Sequence, residues 1–113
     1  MMKIAVPTTA FLQPLIARAD KVAAEHGVQI IRASEDECTR LLLANSADLA
    51  LLSPLGYGSG VVTSDLRIVP TSACMLNGWT NVGSMYFAPS LREVDRIASP
   101  SPRDFLMLSL IHI

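Results

Sequence analysis

The feature that most constrains the fold of this chain is a short apolar run that stops at a proline. Residues 48–52 are long enough for one buried strand, and Ser53 and Pro54 follow it directly. Proline cannot donate a hydrogen bond to a sheet ladder, so the chain must leave the sheet here, with Ser53 at the carboxyl end of the strand. The run therefore predicts a strand that delivers a hydroxyl to the edge where open α/β sheets bind ligands.

The chain before this run alternates between strand and helix patterns. Residues 3–6 predict a first strand, and residues 11–26 place apolar side chains at the spacing of an amphipathic helix. Pro14 fits only the first turn of a helix, so the helix should begin near Leu12 or Gln13.

A second strand and a second helix complete the alternation. Gly27 predicts the end of the first helix, and residues 28–31 predict a strand. Ser34 and Glu37 have the spacing of a capping box that opens the second helix. The order β-α-β-α-β with short links predicts an α/β fold, with a mostly parallel sheet and flanking helices.

The rest of the chain has weaker patterns. We expect a loop with a short helical turn at residues 56–64, a fourth strand at 66–69 and another strand at 82–87. Ser101 and Asp104 predict the cap of a final helix. Trp79 is expected either to cover the core or to line a ligand cleft.

Composition bounds the class of protein. The 113 residues suit one ordinary domain, and half of them are hydrophobic, which predicts a buried core. A net charge of −1 gives no electrostatic reason to expect binding to nucleic acid or to an anionic membrane. Without a signal-peptide pattern or a long apolar run, we expect a cytoplasmic protein. Cys38 and Cys74 lack metal-site spacing, so we expect reduced, half-buried thiols.

Residues 108–113 match, residue for residue, the translation of the mosaic-end adapter CTGTCTCTTATACACATC used in transposase-based sequencing libraries. We expect these residues to be an adapter-derived tail and the natural sequence to stop near Met107. The alternative is a natural apolar helix end.

Hydroxyl side chains follow three predicted strand ends, at Thr8 and Thr9, at Ser53 and at Ser101. Hydroxyls together with helix N–H groups can stabilise a carboxylate without a cation. Each of these residues also fits a plain helix cap or turn, and that alternative stays open.

No other pattern indicates a catalytic centre. His26 and the acidic turn at residues 35–37 have the positions of helix-dipole partners. Residues 56–60 are rich in glycine but lack the lysine of a P-loop. We expect no metal and no cofactor.

Several segments, taken in order, are similar to one enzyme family: residues 4–13, 41–57, 66–70 and 82–87. With them the chain resembles the chorismate dehydratases of menaquinone biosynthesis by the futalosine route. That family has two α/β lobes around a cleft, like type II periplasmic binding proteins. The resemblance covers most of residues 3–107. It implies a first lobe at 1–81, followed at 82–107 by the crossing strand and the truncated start of a second lobe.

The resemblance also implies roles for individual residues. Gln13 stands where the family has an active-site asparagine, which implies a catalytic role. Thr8, Ser53, Tyr57 and Ser84 stand at family positions that bind substrate, and Ser101 matches more loosely. With Thr9, the expected substrate-binding residues are Thr8, Thr9, Ser53, Tyr57, Ser84 and Ser101.

The implied reaction removes water from chorismate to give 3-enolpyruvylbenzoate. A carboxylate of the substrate can act as the base, so the protein would supply positioning, anion stabilisation and exclusion of water. Two other functions stay open. One is a non-catalytic protein that binds a small carboxylate, favoured because the amide of Gln13 lies one methylene further out than that of asparagine. The other is an α/β domain that only resembles the family.

Overall fold

The computed structural model describes residues 1–71, 73–75, 77, 89–90, 93 and 96–99. By its internal contacts the chain divides into two units, Met1–Met75 and Leu76–Ile113. The helices and strands described below belong to the first unit. Four predicted features lie outside the described residues: Trp79, the strand at 82–87, the helix after Ser101 and the tail at 108–113.

The first unit alternates strands and helices, as expected for an α/β lobe. A 3₁₀ turn at Ala10–Leu12 follows the first strand. In chain order the elements are β1 (Lys3–Pro7), α1 (Gln13–Ile16), α2 (Ala19–His26), β2 (Gln29–Ala33), α3 (Glu35–Leu43), β3 (Leu49–Ala50) and α4 (Pro54–Val61). None of the helices in the described part of the chain is long and apolar enough to cross a membrane.

The three strands form a parallel sheet in the order β2-β1-β3, which confirms the predicted fold class. β1 is the central strand. It pairs with β2 from Lys3 opposite Gln29 to Pro7 opposite Ala33, and with β3 at Ile4 and Ala5.

The direction of the chain reverses around β1. From β1 it moves to one side to form β2, then crosses to the other side to form β3. Connections of the same hand therefore place α2 and α3 on opposite faces of the sheet. Ala5 packs with Cys38 and Ala47 in the core, whereas the neighbouring Val6 points to the opposite face and is also buried. Both faces of β1 are covered.

The predicted helix at residues 11–26 is interrupted. It consists of the 3₁₀ turn, α1 and α2, with a break at Ala17 and Arg18. Pro14 lies in the first turn of α1 and Gly27 closes α2 with a φ of +65°, as predicted. The expected apolar face included Val22, which is 47% exposed. That part of the prediction is wrong for Val22, whereas Ala23 on the same expected face is buried.

Local bonds set both ends of α3. The Ser34 hydroxyl accepts from the Glu37 N–H at 3.2 Å, as predicted. The Glu37 carboxylate accepts from the Arg40 guanidinium, which lowers the pKa of Glu37. In the described part of the chain, only the Ser34 half of the capping box is therefore formed. At the other end Asn45 adopts a φ of +55°, a left-handed conformation that asparagine tolerates.

The predicted strand at residues 66–69 is wrong. These residues have no regular secondary structure, and the Leu66 N–H bonds locally to the Ser64 carbonyl at 2.9 Å. Ile68 and Val69 are 69% and 55% exposed. An apolar, β-branched segment becomes a strand only when another strand lies beside it, and the described part of the chain supplies none here.

The two thiols are free, and they lie in opposite environments. Cys38 is fully buried in the core and Cys74 is exposed, so the prediction of two half-buried thiols is wrong. Burial, reinforced by the carboxylates of Glu35 and Glu37, raises the pKa of Cys38 from 9.0 to about 11. Cys38 is therefore a neutral core side chain at physiological pH.

We expect iodoacetamide at pH 8 to alkylate Cys74 quickly and Cys38 only when the chain unfolds. Because burial raises the pKa of Cys38 above its unfolded value of 9.0, the neutral thiol stabilises the fold below that pH. This contribution is lost as pH rises through about 11. Mass spectrometry of Cys74→Ser, with and without urea, measures Cys38 alone. Rapid alkylation of the folded variant would contradict the buried position.

Glycine permits the close packing of α4 on α3. A Cβ on Gly56 would lie 2.6 Å from the Thr39 hydroxyl, which donates to the Glu35 carbonyl at 3.2 Å. Thr39 is buried and branched at Cβ, so it cannot move aside without breaking that bond. A Cβ on Gly58, in the same helix, would meet nothing within 4 Å.

These two glycines provide a matched pair of substitutions. Gly56→Ala should lower the free energy of unfolding by about 1–3 kcal/mol through overpacking. Gly58→Ala should raise it by about 0.5–1 kcal/mol because alanine favours a helix. Urea titration followed by circular dichroism measures both. Equal effects of the two substitutions would show that α4 does not pack on α3 through Gly56.

Candidate functional site

The candidate site lies at the carboxyl edge of the sheet. Because the strands are parallel, Thr8 after β1, Ser34 after β2 and Ser53 after β3 all come to this edge. The strand order reverses between β1 and β3, and open α/β sheets bind ligands outside such a switch point. Thr8 and Ser53 therefore flank the position that the topology favours for a ligand.

Thr8 offers a hydroxyl to solvent. Its backbone N–H donates to the Ala33 carbonyl at 2.9 Å, which fixes the main chain where β1 ends. The residue is exposed, and its hydroxyl has no hydrogen-bond partner among the described residues. A hydroxyl in this position can both donate to and accept from a ligand.

Thr9 is tied to α3 rather than left free. Its hydroxyl donates to Oε1 of Glu35 at 2.8 Å, and both residues are partly buried. Sequence reasoning assigned Glu35 only an effect on the helix dipole and missed this contact. The two residues are 26 positions apart, so no local pattern could have revealed it.

Gln13 holds the turn after β1. Its Nε2 donates to the Pro7 carbonyl at 3.2 Å and to the Thr9 carbonyl at 3.0 Å. Both partners are carbonyl oxygens, so the amide nitrogen and not the amide oxygen of Gln13 must face them. Both amide protons are therefore used. A catalytic role for Gln13 stays a prediction, and with these bonds in place it would use the acceptor Oε1.

Ser53 caps α4. A helix cap was the alternative to ligand binding that the sequence left open for this residue. Its hydroxyl oxygen accepts from the Gly56 N–H at 3.1 Å, while its carbonyl accepts from the Tyr57 N–H at 3.0 Å. Pro54 has no N–H to offer. Among the residues of α4, the Leu55 N–H then has no partner in the described part of the chain. The sequence had suggested several such donors.

Ser53 retains one group for a ligand. Its oxygen serves as the cap, but its hydroxyl proton can still be donated. Tyr57, one helical turn further on, is half-buried. Ser84 and Ser101, the remaining predicted site residues, lie outside the described residues.

No metal centre accompanies this edge in the described residues. They contain no group of three or more His, Cys, Asp or Glu side chains that could hold an ion. His26 is exposed in the last turn of α2, the position predicted for a helix-dipole partner. The groups that can act on a ligand here are therefore hydroxyls, an amide oxygen, one backbone N–H and the Glu35 carboxylate.

Comparison with known proteins gives no assignment of family. The chain matches no protein-family model, and no curated protein or solved structure matches it significantly.

The cap formed by Ser53 can be tested separately from ligand binding. Ser53→Ala removes the acceptor for the Gly56 N–H and should cost about 1 kcal/mol of stability. This corresponds to about 4–8 °C in melting temperature for a domain of this size. Ser53→Asp keeps a good cap and should unfold near the wild-type temperature. A melting temperature unchanged by Ser53→Ala would rule out the cap.

Proposed function

We propose that this chain forms one α/β lobe of a protein that binds a small carboxylate at the carboxyl edge of its sheet. We further propose that the protein is a chorismate dehydratase-like enzyme of menaquinone biosynthesis. The observation that carries the proposal is the placement of Thr8 and Ser53 on either side of the switch point between β1 and β3.

The donors at this edge suit a carboxylate. The Thr8 hydroxyl, the Ser53 hydroxyl proton and the Leu55 N–H are neutral donors, and a carboxylate accepts several such bonds. The first turn of α4 also carries the positive end of the helix dipole. These groups can hold an anion without a paired lysine or arginine.

The dehydratase activity rests on the resemblance of residues 3–107 to that family. Loss of water from chorismate makes an aromatic ring, and a carboxylate of the substrate can remove the proton. The protein then needs to position the substrate and exclude water, which hydroxyls and amides can do. Gln13 Oε1 is an acceptor that could orient the substrate hydroxyl that leaves.

A non-catalytic carboxylate-binding protein is the second candidate. The observation that favours it is the pair of hydrogen bonds from Gln13 Nε2 to the Pro7 and Thr9 carbonyls. An amide whose protons are both used in this way stabilises the turn and has no proton left to stabilise charge in a reaction.

Calorimetric titration with chorismate and with benzoate tests the binding site. Wild type should bind both. Ser53→Ala should bind about 10- to 150-fold more weakly, the effect of losing one hydrogen bond to a charged group. Ser53→Asp should not bind detectably, because it keeps the cap but places a negative charge beside the ligand. Ser59→Asp, an equal charge at an exposed position of the same helix, is the matched control and should bind like wild type.

The same samples separate the two candidate functions. Formation of 3-enolpyruvylbenzoate from chorismate, followed by absorbance, would favour the enzyme. Binding without product would favour the non-catalytic protein. If wild type binds neither ligand, or if Ser53→Asp binds as well as wild type, the proposed site is wrong.

A further inference from the structure

A chain of hydrogen bonds holds the Glu35 carboxylate beside the end of β1. Gln13 Nε2 binds the Thr9 carbonyl at 3.0 Å, and the Thr9 hydroxyl donates to Glu35 Oε1 at 2.8 Å. The three side chains come from α1, from the turn after β1 and from the first turn of α3, and both contacts are partly buried. Together these bonds set the position of one oxygen of a negatively charged group at the candidate site.

We propose that Glu35 determines which ligand groups this side of the edge accepts, favouring a hydroxyl and rejecting a second carboxylate. The inference rests on the proposed binding of a carboxylate. In that arrangement the carboxylate of the ligand lies toward α4 and Ser53, and an uncharged hydroxyl lies toward Thr9 and Glu35.

The chemistry follows from the two oxygens of Glu35. Oε1 accepts a hydrogen bond from the Thr9 hydroxyl, whereas Oε2 has no partner among the described residues and can accept from a ligand hydroxyl. A second carboxylate in the same place would meet a like charge. Partly buried charges are less screened by water than exposed ones, so the repulsion discriminates strongly between the two groups.

Glu37 provides a matched control within the same helical turn. It carries the same charge, and its carboxylate is held by the guanidinium of Arg40. Removing either charge changes the net charge of the chain by the same amount. Of these two residues, Glu35 is the one that binds the Thr9 hydroxyl in the turn after β1, so a local effect on the ligand should follow Glu35 and not Glu37.

Three probes differ only at the ring position opposite the carboxylate, where chorismate carries its hydroxyl: benzoate, 4-hydroxybenzoate and benzene-1,4-dicarboxylate. We expect the full chain to bind the hydroxyl compound more tightly than benzoate and the dicarboxylate more weakly. Glu35→Gln should tighten binding of the dicarboxylate relative to benzoate by about tenfold, the effect of removing one nearby like charge. Glu37→Gln should leave that ratio unchanged. Thr9→Val, which removes the bond that orients Glu35, should reduce the preference for the hydroxyl.

The results distinguish failure of the inference from failure of the proposed function. If benzoate binds but Glu35→Gln leaves the ratio unchanged, the inference alone is overturned. The same holds if Glu35→Gln and Glu37→Gln change the ratio equally, because the effect is then a distant one. If wild type binds none of the probes, the proposed function fails, and this inference fails with it. Melting temperatures confirm that each variant is folded, and Thr9→Val supplies the test should Glu35→Gln not fold.

Discussion

Parallel pairing on both sides of β1 is the constraint on which the rest of this lobe depends. β1 supplies backbone groups to β2 along its whole length and to β3 at its middle. Its side chains are buried on both faces, with Ala5 against the α3 core and Val6 on the other side. Because all three strands run the same way, every strand ends at the same edge. The candidate site exists because of that common direction.

Several residues at this edge already form hydrogen bonds that stabilise the fold. Ser53 caps α4, Gln13 holds the turn after β1, and Thr9 joins that turn to Glu35. Buried or partly buried polar groups need hydrogen-bond partners, so polar side chains at a strand end form hydrogen bonds within the chain. What remains for a ligand is the unused half of each group: a hydroxyl proton, an amide oxygen, a second carboxylate oxygen. A site of this kind binds through groups whose positions the fold already sets.

Because the same side chains stabilise the fold and offer groups to a ligand, their remaining groups help to distinguish an enzyme from a binding protein. Groups that are held in place before the ligand arrives lose little freedom on binding, which favours both affinity and positioning. Catalysis additionally needs groups that interact more strongly with the transition state than with the substrate. Gln13, with both amide protons engaged in the turn, is less able to provide such an interaction than an amide with a free proton. Ser53 and Thr8 keep donors available, so binding is the better supported half of the proposed function.

Sequence by itself determined the features that depend on neighbours along the chain. The alternation of strands and helices as far as β3 follows from local apolar spacing, and the cap at Ser34 and the left-handed Gly27 depend on residues within one turn. Tertiary structure decided the rest. The absence of a strand at residues 66–69 and the contact of Thr9 with Glu35 both depend on what lies beside the segment in space. The physical reason is that helix caps and apolar spacing involve residues only a few positions apart. A strand needs a partner strand, and a partly buried carboxylate needs a hydrogen-bond donor. Here those partners lie far away in sequence, and the fold brings them together.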